Sequence, residues 1–261
     1  RMSPGDDMRL DLQNGKDGLK LVVRGGSVDA RPFVQDLVGN GGNGGREDAP
    51  AKDLDLDLKV SLLNGHNGQS ISNVEIRILK RGGNMREFRI AGRSGRAALS
   101  GGMLNAPAGQ PPQFYVRSGD GGALLSFLDL YRRMDGGQLQ LVALNAGPRM
   151  SGVLSIRDFT LRNEPALRQL VAEGVGGRID DKSPIDTNAV PFNRLQAVFT
   201  RSPGRLELRD GAINGPSVGA TIEGALDFSR DQVALSGTFV PAYGVNNLFS
   251  KIPLFGPILG G

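Results

Sequence analysis

The segment from residue 53 to residue 63, DLDLDLKVSLL, alternates polar and apolar side chains almost without interruption. A period of two places every second side chain on one face of a β-strand. Leu54, Leu56 and Leu58 therefore share an apolar face, which Val60 and Leu62 continue. This pattern predicts a strand with one polar face and one apolar face, and the apolar face needs a cover.

A second long alternating segment, SVGATIEGALDF, lies near the C-terminus at residues 217–228. Its apolar face carries Val218, Ala220, Ile222, Leu226 and Phe228. Its opposite face carries Thr221, Glu223 and Asp227. We expect this apolar face and the leucines of the first segment to line one common surface. Shorter strands are predicted between them, separated by glycine turns.

The composition favours many short strands over the compact core of an enzyme. Glycine accounts for 39 of the 261 residues, aromatic residues for 5%, and tryptophan is absent. We predict a mainly β fold with a few short helices: an elongated antiparallel meander, one domain over residues 1–261, in which each hairpin extends the same sheet. A closed β-sandwich satisfies the same alternation and is the alternative.

Three short helices interrupt the predicted strands, near Pro32, Asp120 and Pro165. The clearest has apolar residues at i, i+3, i+4 and i+7, namely Leu124, Phe127, Leu128 and Tyr131. Asp120 is its predicted N-cap, and the helix is expected to continue to Met134.

One strand breaks its alternation, because the apolar phase slips between Ile156 and Phe159, which predicts a β-bulge.

No catalytic constellation can be assembled from this chain. GPSVG at residues 215–219 matches a hydrolase nucleophile elbow, but it leads into a strand, and the single histidine, His66, precedes it. The acidic alternation of residues 53–57 imitates a calcium loop, yet the sixth position holds leucine. Cysteine is absent, and His66 is predicted in an exposed loop. We predict no enzyme, no catalytic residue, no metal and no cofactor.

Seven basic residues are concentrated between residues 77 and 96, offset by a single Glu87: Arg77, Lys80, Arg81, Arg86, Arg89, Arg93 and Arg96. A solvated strand face explains such a cluster, and anionic lipid headgroups or a protein partner are the alternatives. The residues predicted to bind headgroups are Arg77, Arg86, Arg89 and Arg93. Nucleic acid is not expected, because the net charge is only +4 and Phe88 is the one aromatic residue of the cluster.

The C-terminal tail, VNNLFSKIPLFGPILGG at residues 245–261, is strongly apolar. Ordinary packing over the end of the sheet is one interpretation, and a cap on a lipid groove, with Phe249 and Phe255 in contact with lipid, is the other. No run reaches the roughly 18 apolar residues of a membrane span. Because the chain begins with Arg1-Met2-Ser3-Pro4 rather than a signal peptide, we expect it to be a piece of a longer protein.

Residues 113–261 resemble the C-terminal region of AsmA-like bacterial envelope proteins. The cues, in order, are FYVRSGDGGALLSFLDLYRRMDGGQLQL, GVLSIRDFTLRNEPALRQL, LRDGAINGPSVGATIEGALDF and LSGTFVPAYGVNNLFSKIPLFGPILGG. Each cue is weak alone, and their order and spacing carry the resemblance. Residues 1–112 are similar to the family only in their repeating strands.

The resemblance implies a periplasmic protein of a Gram-negative envelope, tethered to the inner membrane by an N-terminal segment absent from this chain. It also implies a curved, taco-shaped sheet with an apolar groove, as in bridge-like lipid-transfer proteins. Leu54, Leu56, Leu58, Val218, Ala220, Ile222, Leu226, Phe228, Phe249 and Phe255 would line that groove. The chain departs from the pattern by ending at Gly261, where relatives continue with more strands.

Two functions follow as hypotheses. In the first, the chain is a non-catalytic segment that carries phospholipid or another envelope lipid between the inner and outer membranes, with the full-length protein meeting a membrane at each end. In the second, it is a structural module for outer-membrane biogenesis that binds another envelope protein through exposed strand edges.

Overall fold

The structure is a computed structural model of the chain, and it describes residues 7–15, 18–34, 53–82, 84–104, 112–146, 149–168, 186, 188–228, 230 and 232–241. The described strands are β1 (Asp7–Gly15), β2 (Gly18–Asp29), β3 (Leu54–Asn64), β4 (Ser70–Arg81), β5 (Asn84–Ser94), β6 (Ala97–Leu104), β7 (Gln113–Ser118), β8 (Met134–Ala146), β9 (Arg149–Arg162), β10 (Ala189–Ser202), β11 (Arg205–Asn214), β12 (Val218–Asp227), β13 (Gln232–Ser236) and β14 (Phe239–Pro241).

All of these strands belong to one open sheet. Strands β1 to β13 follow one another in chain order, and β14 pairs with β12 beside β13. Over the described residues β1 forms one edge and β13 with β14 forms the other, and the sheet does not close on itself. The prediction of a mainly β, groove-like meander is confirmed, and the alternative of a closed β-sandwich is excluded.

One neighbouring pair departs from the antiparallel pattern. β2 and β3 run parallel, with Leu21 opposite Leu56 and Val23 opposite Leu58. A parallel pair cannot be joined by a tight turn and needs a crossover connection. Residues 30–53 separate the two strands in the sequence, and alternation within the strands does not reveal that they pair in parallel.

The helices are short. Helix α1 spans Gly121–Phe127, and the Asp120 carboxylate caps it by accepting a hydrogen bond of 2.9 Å from the Ala123 amide, as predicted. The predicted continuation to Met134 is wrong, because Met134 is the first residue of β8. Residues 31–34 and 165–168 are also helical, in agreement with the helix starts predicted near Pro32 and Pro165.

All three helical segments lie at one end of the sheet, which we call the helix-bearing end. Residues 31–34 follow β2, α1 joins β7 to β8, and residues 165–168 follow β9. The register of the strands places these junctions side by side. The opposite end, where β3 begins and β10 ends, is the helix-free end.

The main core lies at the helix-bearing end. Leu124 and Phe127 of α1 are buried in one cluster with Leu99, Leu139 and Ile156 of the sheet. Gly65, in the β3–β4 turn, allows this approach, because a Cβ atom there would lie 2.2 Å from the Phe127 ring. The described helices therefore cover the apolar side of the sheet at this end.

The predicted phase slip in β9 is confirmed, but it does not shift the register. Ile156 and Phe159 are both buried, and Asp158 between them has a φ of 54°. Their partners in β10 are Leu195 and Phe192, so both strands lose their alternation at the same point. The slip is thus a kink shared by neighbouring strands rather than an extra residue in one of them.

Candidate functional site

One face of the sheet is apolar on every strand from β1 to β13, and we call it the apolar face. A single unbroken cross-strand row on it consists of Leu10, Val23, Leu58, Ile76, Ile90, Gly101, Val116, Leu141, Leu154 and Ala197. On the far side, Leu206, Leu226 and Val233 are opposite one another. The face therefore offers a continuous apolar track across the strands.

The burial of this face changes along and across the sheet. At the helix-bearing end Ile156 is 1% exposed. At the two edges the side chains are in water: Leu10 and Leu12 of β1 are 48% and 58% exposed, and Val233 and Leu235 of β13 are 67% and 46% exposed. Large apolar side chains exposed together on one face are typical of a binding surface rather than of a core.

The predicted lipid-contacting residues fall on this face wherever the structure describes them. Leu54, Leu56 and Leu58 of β3 are half-buried, as are Ala220, Ile222 and Leu226 of β12, whereas Val218 is buried. Phe228 follows the last residue of β12 and is half-buried. Phe249 and Phe255 lie outside the described residues. The register places β3 and β12 nine strands apart on the same face.

The predicted headgroup-binding arginines do not form one group at the rim of this face. Arg77 lies between Ile76 and Ile78 in β4, and pairs with Asp57 and Arg89 on the opposite face, which we call the polar face. Arg93 also lies on the polar face and donates a hydrogen bond of 2.7 Å to the Arg96 carbonyl. Of the four arginines, only Arg86 shares the phase of the apolar side chains. It lies where the register between β4 and β5 shifts.

Arg77 is compensated by carboxylates of its own sheet. Its guanidinium contacts Asp55 and lies 3.3 Å from a Glu87 oxygen. The hydrogen bond to Asp55 raises the pKa of Arg77. Arg24 and Asp57 form a similar cross-strand pair at 2.8 Å. Because these charges neutralise one another, Arg77 is a poor candidate for an anion site. The alternating aspartates of β3 form the polar face of that strand.

A shallow cavity of about 430 Å³ lies over β5, β6 and β7. It brings Arg86 and Arg89 together with Phe88, Met103 and Tyr115. Gly102 opens the surface here, with the Tyr115 ring beside it. Two of the four predicted headgroup-binding residues therefore share a depression, and Ile90 and Gly101 of the cross-strand apolar row also line it.

The motifs with a formal resemblance to catalytic sites have structural roles. Ser217 is exposed in the turn between β11 and β12, which the Gly215 amide closes with a hydrogen bond of 2.8 Å to Val218. The prediction that His66 is an exposed loop residue is wrong, because its side chain is only 15% exposed and its Nδ1 lies 3.9 Å from an Asp129 oxygen. In the described ranges no three acidic, histidine or cysteine side chains are placed to hold a metal ion.

Arg201 is a residue of this face that sequence reasoning missed. It pairs with Met150 in β9 and with Leu206 in β11, two positions after Phe199 and at the helix-free end. The side chain is half-buried, and this burial lowers the pKa of its guanidinium. The sequence does indicate this position, because in the segment AVFTRS, residues 197–202, Arg201 shares the phase of Ala197 and Phe199.

No helix within the described ranges combines the length and the apolar character that a membrane span requires. Comparison with protein-family models, with curated proteins and with solved structures yields no match for this chain.

Proposed function

We propose that this chain binds the acyl chains of envelope lipids along the apolar face of its sheet and carries them without catalysis. The observation that supports the proposal is the unbroken apolar row across β1 to β10, which emerges into solvent at Leu10, beside the exposed Leu12 of the same face. Covering exposed apolar surface is favourable, at about 0.8 kcal/mol per buried CH₂ group of a lipid chain. The described helices cover one end of the face, and the exposed side chains at its edges, Leu10, Leu12, Val233 and Leu235, are the surface that a ligand would cover.

The setting of this activity is the second part of the proposal. The resemblance to AsmA-like proteins supports a periplasmic location, an inner-membrane tether outside this chain, and transport of phospholipid between the inner and outer membranes. A sheet that adds one strand after another suits a long conduit, because each strand extends the same apolar track. Transfer along such a track needs no catalytic residue, metal or cofactor.

Photo-crosslinking at neighbouring residues of β1 tests the lipid contact. Leu12 lies on the apolar face, whereas Gln13 lies on the polar face, and both are exposed. A benzophenone amino acid at position 12 is expected to label phospholipid in cells, and the same group at position 13 is the matched control. Mass spectrometry of a lipid extract from the purified chain identifies the lipid. Equal labelling at both positions, or a lipid-free chain, contradicts the proposal.

The free edges of the sheet support a second function, the docking of another envelope protein. β1 and β13 are edge strands over the described residues, and exposed edges pair readily with a strand of another chain. A stable complex that protects the β1 amides from hydrogen exchange, together with a lipid-free apolar face, favours this function over lipid transfer.

A further inference from the structure

Strand β1 is one edge of the described sheet, and most of it is in contact with solvent. Every residue of Asp7–Gly15 is exposed except Met8, which is half-buried. Leu10 and Leu12 are 48% and 58% exposed. An edge strand of nine residues with exposed leucines pairs readily with a strand of another molecule.

The outward hydrogen-bonding groups of β1 belong to the residues of its apolar face. The Leu19 amide of β2 donates a hydrogen bond of 2.9 Å to the Asp53 carbonyl, immediately before β3. Because successive amides of a strand point to opposite sides, the amides at even-numbered positions of β2, up to Arg24, are directed at β1. These positions oppose the odd-numbered residues of β1, so the N–H and C=O groups of Leu10 and Leu12 point away from the sheet.

The sequence of β1 is complementary to itself when two copies run antiparallel with Leu10 opposite Leu10. In this register Arg9 of each copy lies opposite Asp11 of the other on the polar face, and Met8 lies opposite Leu12 on the apolar face. Opposite charges and apolar side chains that face each other across a pair of strands stabilise the pairing. The outward groups of Met8, Leu10 and Leu12 also meet in this register, which allows about six main-chain hydrogen bonds between the copies.

Other registers lose this match. Moving the centre of the pairing by one residue places Arg9 opposite Arg9 or Asp11 opposite Asp11, and like charges directly opposite each other are destabilising. Moving it to Leu12 places Leu10 opposite Asn14. Within one copy, the Arg9 Nε lies 3.5 Å from an Asp11 oxygen, and the two side chains are 82% and 55% exposed. Such an exposed pair contributes little by itself, whereas in the dimer each charge gains a second neighbour of opposite sign.

We infer that two copies of this chain associate by antiparallel pairing of their β1 strands about a two-fold axis at Leu10. The same surface is used on both copies, so the interface closes at a dimer. The axis is perpendicular to the sheet, which places the apolar faces of both copies on the same side. The apolar row that ends at Leu10 in one copy therefore continues into the other. This inference goes beyond the proposed function, because it names a second copy of the chain as the occupant of β1 and does not depend on lipid.

Sedimentation velocity of the lipid-free 261-residue chain over a range of concentrations tests for the dimer. A single pair of strands makes a small interface, so we expect monomer and dimer to exchange with a dissociation constant in roughly the micromolar range. High salt should weaken the dimer, because its charge pairs are exposed. Amide hydrogen exchange locates the interface. The Leu10 and Leu12 amides should exchange more slowly as the dimer forms, whereas the Arg9 and Asp11 amides, which already face β2, should change little.

Charge reversal at positions 9 and 11 tests the register. Arg9→Asp leaves both positions acidic and Asp11→Arg leaves both basic, so each variant alone should dimerise at least about tenfold more weakly than wild type. An equimolar mixture of the two should regain the wild-type affinity as a heterodimer, and this recovery requires both variants to be folded. The double variant Arg9→Asp/Asp11→Arg should dimerise like wild type. Arg149→Asp is the matched control for net charge, since Arg149 is exposed in β9, several strands away from β1.

Four results overturn the inference. A wild type that stays monomeric throughout the concentration range excludes the dimer. A dimer that neither charge reversal weakens uses another surface, such as two apolar faces packed together. Growth beyond the dimer indicates head-to-tail pairing of β1 with β13. A loss of affinity that neither the mixture nor the double variant restores excludes the contact between Arg9 and Asp11. Each of these results leaves lipid binding intact, because the lipid extract and the crosslinks at β1 test that function separately.

Discussion

At Gly122 in helix α1, helix propensity and packing favour different residues. Propensity favours alanine, whereas the packing of α1 against β8 requires glycine. Alanine is favoured over glycine inside a helix by about 0.8–1 kcal/mol, so propensity alone predicts that Gly122→Ala is stabilising. In the structure, however, a Cβ atom at Gly122 would lie 2.1 Å from the Met134 carbonyl oxygen and 2.7 Å from its carbon. Ordinary contacts of a Cβ begin at 3.4 Å, so α1 would have to move away from β8 by more than 1 Å.

We expect Gly122→Ala to lower the free energy of unfolding by about 1–2 kcal/mol, because so close an approach to backbone places the cost at the upper end of the usual 1–3 kcal/mol for overpacking, and the gain in propensity offsets only about 1 kcal/mol of it. Urea denaturation measures this loss as a lower midpoint at an unchanged slope. Gly121→Ala is the control, since its Cβ would meet Leu139 at 3.0 Å and the Gly137 carbonyl at 3.2 Å. A Gly122→Ala chain as stable as wild type refutes this packing of α1 on β8.

The two ends of the apolar face should respond differently to truncation. Ile156→Ala, at a 1% exposed site, should cost about 2–5 kcal/mol, whereas Leu12→Ala, at a 58% exposed site, should change stability by no more than about 0.5 kcal/mol, both measured by urea denaturation. The stabilisation from the Arg24–Asp57 pair on the polar face should be lost in acid. The hydrogen bond from Arg24 lowers the pKa of Asp57, so the pair stabilises the folded chain at neutral pH and loses this effect as the pH falls below about 4. Arg24→Gln should therefore narrow the difference in unfolding free energy between pH 7 and pH 3, and an unchanged difference would contradict this role.

Much of the sheet was accessible from alternation, because a period of two reports directly which side chains share a face. Leu54 and Leu56 fall on the face that Leu226 shares, as predicted. The N-cap at Asp120 was also predictable, since a capping carboxylate acts on amides two or three residues away. Local patterns of this kind need no knowledge of the distant partners of a strand.

The errors arose where the outcome depends on distant contacts or on the phase of a strand. Leu128 and Tyr131 continue the helical period, yet the chain leaves the helix at Phe127 because Met134 must pair with Leu161 of β9. Proximity in sequence groups Arg77 with Arg86, whereas strand phase places Arg77 opposite Asp57 on the polar face. The alternation of β4 already shows in the sequence that Arg77 lies opposite in phase to Ile76 and Ile78, and this phase is more informative than proximity in sequence.

The burial of the apolar face differs between the helix-bearing end and the rest of the sheet. At the helix-bearing end, Phe127 and Ile156 belong to one buried cluster, so substitutions there act on folding. Toward the edges and the helix-free end, Leu12 and Leu226 are exposed or half-buried, so they contribute less to the free energy of folding than a fully buried leucine. A lipid that covers these residues stabilises the folded chain only when it is bound. Under the proposed function, the chain would therefore release a bound lipid without unfolding, because the cluster that α1 packs against lies at the helix-bearing end.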